Sequence, residues 1–103
     1  MDFKEGVEIG RLQPQTLLAL LEAEKIYKGR LLNMTVTSVN DGEHMWGSLH
    51  YKGLAADLRT KGTGLARQLA QDIKKKLGPL GFDVVLEYEG DSNEHIHLEY
   101  DPK

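Results

Sequence analysis

The sequence predicts an α+β fold: a single small domain with a mainly antiparallel sheet and two helices on one face. Apolar residues recur with helical spacing in two separate stretches, and shorter stretches with β-branched or alternating apolar residues follow each of them. The resulting order of helix, strand, strand, helix, strand, strand is typical of α+β domains. Since the chain has 103 residues and no repeat or linker, we expect one domain over residues 1–103.

The two helices are predicted from apolar spacing and from the residues at their ends. The first runs from about Pro14, which suits a first helical turn, to Tyr27, with Gly29 as the stop. The second is marked by apolar residues spaced by four: Leu65, Leu69, Ile73 and Leu77. Its last turn carries three lysines (74–76), which we interpret as a solvated helix end favoured by the helix dipole.

Four strands are predicted from alternation and from β-branched or aromatic residues. They are Leu31 to Val39, Leu54 to Leu58, Phe82 to Tyr88 and Ile96 to Tyr100. Because two helices cover one face of such a sheet, the other face is left to carry a functional site.

Composition excludes several classes of function. The chain has no cysteine, which excludes disulfides, thiolate metal ligands and a cysteine nucleophile. A net charge of −3 and the lack of a basic stripe give no attraction to phosphate, so we expect no nucleic-acid partner.

We expect a monomer that is synthesised in the cytoplasm and does not insert into a membrane. No apolar run is long enough to span one, and residues 1–6 do not resemble a secretory signal.

The first segment that carries chemistry joins His50 and Asp57. These residues lie seven apart, across Gly53 and the small Ala55. If His50 lies in a loop and Asp57 on the strand that follows, a chain reversal brings the imidazole and the carboxylate toward one point, and the small residues let the backbone pass beneath.

The second segment is Glu94 to Tyr100, where alternation places His95, His97 and Glu99 on one face of the last strand. The residues that would then point to the core are Ile96, Leu98 and Tyr100. Glu94 stands at the entry to the strand and can lean over the face that carries the histidines.

These side chains fit a zinc site of the hydrolytic kind. Such sites commonly use three nitrogen or oxygen ligands and leave a fourth position for water. His50, Asp57 and His97 supply three such ligands. A histidine considered alone is more often a hydrogen-bonded residue than a ligand, but all four histidines of the chain lie in or near these two segments.

Hydrolysis also needs a general base and a donor for the developing oxyanion. Glu94 is the best-placed base, with Glu99 or Glu87 as alternatives. His95 is the predicted oxyanion donor, although a supporting or merely solvated role is also open to it.

The two segments together resemble a known family. The pattern Ser-x-His-x-x-Gly-x-Ala-x-Asp over residues 48–57, followed by an acidic residue three positions before a histidine, is similar to the zinc D-alanyl-D-alanine carboxypeptidases. That family includes the VanX and VanY types and the phage L-alanyl-D-glutamate endolysins, within the hedgehog/DD-peptidase-like superfamily. The resemblance covers about Leu31 to Tyr100, and the His-x-His form also recurs in lysostaphin-type peptidases.

The resemblance implies that His50, Asp57 and His97 bind Zn²⁺, that Glu94 is the catalytic carboxylate, and that the fold is of the hedgehog/DD-peptidase type. It also implies peptidoglycan stem peptides as the substrate. The expected function is therefore a zinc metallopeptidase of the D-Ala-D-Ala carboxypeptidase or L-Ala-D-Glu endopeptidase type. Such a small enzyme could be encoded by a phage and released to the cell wall. The alternative is a zinc-binding structural or interaction module that has lost catalysis, as in the hedgehog signalling domain.

The sequence differs from the family at positions whose side chains contact the substrate in many members. Many members carry an arginine after the strand that corresponds to Thr37 and Ser38, and none stands there in this chain. His44 or Arg59 could take its place in substrate binding, although Arg59 could equally be a structural ion-pair partner. Ser48 either contacts the substrate or orients a ligand. Ile96 replaces the common tryptophan before the last ligand.

Overall fold

Two helices and five strands form the part of the chain that the computed structural model describes, which is residues 1–7, 9, 10, 12–39 and 54–102. This confirms the predicted α+β class. The helices are α1 (Pro14–Gly29) and α2 (Ala66–Leu77), and the 3-10 helix Gly78–Leu80 follows α2 directly. The strands are β1 (Asp2–Phe3), β2 (Thr35–Ser38), β3 (Ala55–Arg59), β4 (Phe82–Glu87) and β5 (His95–Tyr100).

The strands form one sheet in the order β1-β2-β3-β5-β4. Neighbouring strands are antiparallel except for β1, which runs parallel to β2 through the pairs Asp2 with Thr35 and Phe3 with Val36. The sheet is therefore mainly antiparallel, as predicted. The sequence did not predict β1, because a strand of two residues is too short to show an alternating pattern.

The core lies between the helices and one face of the sheet. The predicted face of α2 is buried, with Leu69, Ile73 and Leu77 fully inaccessible to solvent. On β5, Ile96 and Leu98 are also fully buried, and the adjacent histidines are only partly so, which confirms the predicted alternation. The opposite face of the sheet thus carries polar side chains.

The connection from α1 to β2 differs from the sequence prediction. The helix ends at Gly29, but the residue with left-handed backbone geometry is Leu31, with φ 60°. The Leu31 N–H donates to the carbonyl of Lys28, and the Leu32 N–H donates to that of Tyr27, each at 3.0 Å. This pair of bonds is a Schellman cap, so the residues predicted to begin a strand at Leu31 instead close the helix.

Candidate active site

The polar face of the sheet is built from the central strands β3 and β5 and the edge strand β4. Asp57 on β3 lies directly opposite His97 on β5, and Arg59 lies opposite His95. On the other side of β5, Glu87 of β4 is opposite His95. Because directly opposite residues in an antiparallel pair point to the same face, the sheet brings together side chains from distant parts of the sequence.

His97 is held between two carboxylates. Its Nδ1 lies 2.8 Å from Oδ1 of Asp57, and its Nε2 lies 3.0 Å from Oε1 of Glu99. The hydrogen bond with Asp57 raises the pKa of His97 to about 9, against the opposing effect of partial burial, and Glu99 adds to the rise. In the absence of a metal, the ring is therefore an imidazolium at neutral pH, with both N–H groups donating to carboxylates.

His95 is also fixed at both ring nitrogens. Its Nδ1 lies 2.6 Å from the carbonyl oxygen of Asn93, and its Nε2 lies 3.0 Å from Oε1 of Glu87. The same Nε2 is 3.8 Å from Oδ1 of Asp57. His95 thus stands beside the Asp57 carboxylate with a defined ring orientation.

Glu94, the predicted base, is held by two donors. The backbone N–H of Gly90 donates to its Oε2 at 2.8 Å, and the hydroxyl of Thr60 donates to its Oε1 at 2.7 Å. These bonds, with that from Gly90 the larger, hold the pKa of Glu94 below its usual value of 4.5. Thr60 is fully buried, so its hydroxyl has a fixed position. The sequence did not single out Thr60, because one threonine after a strand carries no pattern of its own.

A cleft of about 340 Å³ opens beside some of these groups, whereas His97 lines a separate cavity together with Glu87 and Glu99. The lining of the cleft includes Asp57, Glu94 and His95, so two predicted catalytic residues and one predicted ligand share a single cavity. The exposed Arg59, predicted to contact substrate, lines the same cleft. Lys4 lines it too, although no sequence pattern indicated this residue, because it reaches the cleft only through the pairing of β1 with β2.

Three of the predicted site residues, His44, Ser48 and His50, lie outside the described residues. Their roles as substrate contacts and as the first zinc ligand therefore remain predictions from the sequence.

Asp57 and His97 offer donor atoms of the kind that zinc binds, and they now lie at hydrogen-bond distance from each other. Imidazole nitrogen and carboxylate oxygen are common zinc ligands, and two ligands of one tetrahedral zinc ion lie about 3.4 Å apart. The 2.8 Å between His97 Nδ1 and Asp57 Oδ1 would have to widen by only about half an ångström to admit the ion.

A second set of donors on this face was not predicted. One atom each from Asp57, Glu87 and His95 lies within 4.8 Å of the others. The alternation of β4 could have indicated Glu87, which the sequence suggested only as an alternative base. Asp57 belongs both to the pair with His97 and to the group with Glu87 and His95, so it is the residue that the two sets of donors share.

Comparison with known proteins gives no relative: no protein-family model, curated protein or solved structure matches the chain. Neither helix in the described part of the chain has the length and apolar character needed to cross a bilayer. The family resemblance consequently rests on the motif residues alone.

Proposed function

We propose that this chain is a zinc-dependent peptidase that hydrolyses peptide bonds in the stem peptides of bacterial peptidoglycan, of the D-Ala-D-Ala carboxypeptidase or L-Ala-D-Glu endopeptidase type. The observation that carries the proposal is the contact between Asp57 and His97. These residues are 40 positions apart, and their side chains approach to 2.8 Å on the open face of the sheet. They belong to the two separate segments on which the family resemblance depends.

In this proposal His50, Asp57 and His97 would hold the metal. A zinc ion held there would supply Lewis acidity toward water and the peptide carbonyl. Glu99 orients His97 through the ring nitrogen that faces away from Asp57, as an outer carboxylate commonly does for a ligating histidine.

Glu94 moves the proton. It accepts a proton from the attacking water and passes it to the leaving amine, while Gly90 and Thr60 keep its carboxylate at the cleft. His95 stabilises negative charge on the substrate oxygen, with its ring orientation set by Asn93 and Glu87.

Metal analysis of the purified protein, followed by digestion of whole peptidoglycan and mass identification of the products, tests the proposal. We expect about one zinc per chain and release of a D-Ala residue or cleavage after L-Ala. His50→Ala should lose zinc and activity together, because it removes one of three ligands. Zinc-containing protein that releases no product from any muropeptide would contradict the proposal.

One observation favours the alternative function, a zinc-binding module without catalysis. Both oxygens of Glu94 accept hydrogen bonds from the protein, and its lowered pKa makes it a weaker base than an ordinary glutamate. Glu94→Gln separates the two functions, with Glu89→Gln as a matched exposed control. An enzyme loses turnover by about two to four orders of magnitude in Glu94→Gln alone and keeps its zinc. If the chain is a binding module, neither the wild type nor any variant cleaves the peptide.

A further inference from the structure

Three cations line the cleft that contains Asp57 and Glu94. They are Lys4 after β1, Arg59 at the end of β3, and Lys61 in the turn that follows. All three are exposed. They come from separate places in the chain, so their meeting is a property of the fold.

The backbone beneath these cations is fixed by hydrogen bonds. The Lys4 N–H donates to the carbonyl of Val36 at 2.9 Å. Lys61 lies in a turn closed by Thr63, whose N–H and hydroxyl both donate to the carbonyl of Thr60. Arg59 is part of the ladder with β5 and lies opposite His95. The cleft wall therefore holds the backbone of these three residues at defined positions.

These cations also differ from most others in the described residues. Five lysines and arginines there form ion pairs with carboxylates: Lys25, Lys28, Arg30, Arg67 and Lys76. Within the same described ranges, no ion pair joins Lys4, Arg59 or Lys61 to a carboxylate. The two carboxylates of the cleft are engaged elsewhere, Asp57 with His97 and Glu94 with Thr60 and Gly90. The cleft thus presents positive charge to a ligand.

The two candidate bonds share one chemical feature. In a D-Ala-D-Ala terminus, the residue on the amine side of the bond is a D-amino acid with a free α-carboxylate. In an L-Ala-D-Glu bond, the stem peptide continues through the γ-carboxyl of glutamate, so its α-carboxylate is also free. In both cases a carboxylate is attached to the carbon that bears the reacting nitrogen.

We propose that Lys4, Arg59 and Lys61 form a subsite for the free α-carboxylate of the D-amino acid on the amine side of the scissile bond. This inference rests on the proposed function, because it assigns the leaving side of the same substrate to this cleft. A singly charged carboxylate suits the cleft better than a phosphate, since Asp57 and Glu94 lie in the same lining and repel a second negative charge.

Peptide affinity tests the subsite independently of turnover. The probes are Nα,Nε-diacetyl-L-Lys-D-Ala-D-Ala and N-acetyl-L-Ala-D-Glu γ-methylamide, each compared with its α-carboxamide by isothermal titration calorimetry. The full chain carries Glu94→Gln so that the peptides stay intact. With three cations near one carboxylate, we expect at least one free acid to bind about tenfold more tightly than its amide. This preference should weaken as salt is added.

Substitutions then locate the effect. The double variant Lys4→Ala/Lys61→Ala should reduce the preference to about twofold, because only Arg59 remains. Lys75→Ala, an exposed lysine in the last turn of α2, should leave it unchanged. Since all three lysines are exposed, unchanged melting temperatures are expected and serve as the folding check. A preference that survives in the double variant, or no preference for either acid in the parent, overturns the subsite.

Turnover by the wild-type chain separates the two proposals. Preference for the acid without cleavage of any muropeptide means that the subsite stands and the peptidase proposal fails. Cleavage of acids and amides at equal rates, with equal affinity, means that the peptidase stands and the subsite fails.

Discussion

At the scale of single residues, His97 would link the proposed metal binding to the release of a proton. Its pKa of about 9 means that a proton occupies the ring at neutral pH when no metal is bound. Zinc binds only the deprotonated nitrogen, so the ion must displace this proton. We expect zinc affinity to rise up to about tenfold per pH unit between pH 7 and 9, and not to level off above the ordinary histidine pKa of about 6.5.

Competition with a zinc-binding dye from pH 6 to 9 measures this dependence. Glu99→Gln is the matched variant: it removes one of the two carboxylates that hold the proton, so its affinity should level off at a lower pH. Wild-type affinity that does not change above pH 7 would show that His97 is not the group displaced.

Glu94 links the site to stability in acid. Its pKa is lowered in the folded chain, so its contribution to folding is present above its unfolded value of about 4.5 and is lost as pH falls through the folded value. Thr60→Val removes one of its two hydrogen-bond donors. We expect the free energy of unfolding to fall less between pH 5.5 and 3 in this variant than in the wild type.

Urea unfolding at several pH values within this range measures the difference. Thr60→Ser keeps the hydroxyl and should retain most of the wild-type slope. Equal acid sensitivity in the wild type and Thr60→Val would mean that this bond does not stabilise the Glu94 carboxylate.

The sequence indicated some of these residues and not others for physical reasons. Asp57 and His97 were singled out because a motif restricts both their residue type and their spacing, and the structure brings the two side chains together. Thr60 and Lys4 belong to no restricted pattern, and each gains its place only when strands distant in sequence pair. Contacts of this second kind depend on the fold and leave no local signal.

At the scale of elements, the end of α1 is the point where local geometry and residue type disagree. Leu31 adopts φ 60°, which costs an L-residue with a side chain about 1 kcal/mol, and its side chain is 96% exposed. Glycine at this position of a helix cap avoids the cost. We expect Leu31→Gly to be about 1 kcal/mol more stable than Leu31→Ala, by thermal or urea unfolding.

Comparison with alanine is the matched control, because both variants lose the same exposed side chain and differ only at the Cβ atom. Equal stability of the two variants would show that the strain at Leu31 is no larger than the entropy that glycine adds to the unfolded chain. The result also bears on prediction, since the alternation that predicted a strand from Leu31 to Val39 extended over residues that instead form the helix cap.

The regular elements were predictable where one period dominated. The spacing of four in α2 and the alternation in β5 each identify a buried face, and both are confirmed by burial. The strand predicted from Leu31 begins only at Thr35, because the Schellman cap takes up the preceding residues. Short elements such as β1 depend on their partner strand and cannot be found from their own sequence.

At the scale of the whole molecule, the proposed metal would connect two central strands. Asp57 and His97 lie on β3 and β5, so an ion bound by both stabilises only the folded chain. With zinc at 100 times its dissociation constant, this amounts to about 2.7 kcal/mol. We therefore expect a chelator to lower the melting temperature by roughly 10 °C for a domain of this size.

Scanning calorimetry with and without chelator measures this shift. His97→Ala should show no response to the chelator, because it removes one of the ligands from the pair. An unchanged melting curve of wild-type protein that is shown to contain zinc would contradict the position of the metal between these strands.

The last strand of the described chain occupies the middle of the sheet, between β3 and β4. The pairing of β3 with β5 joins residues about 40 positions apart, whereas β4 and β5 are consecutive strands joined by residues 88–94. A chain in which β5 has not yet paired with β3 would leave one backbone edge of β3 and the apolar Leu58 exposed. Partly folded chains in this state are prone to associate through that edge. The pairing of β3 with β5 also brings His97 to Asp57, so the slow pairing of distant strands would set the moment at which the proposed metal site forms.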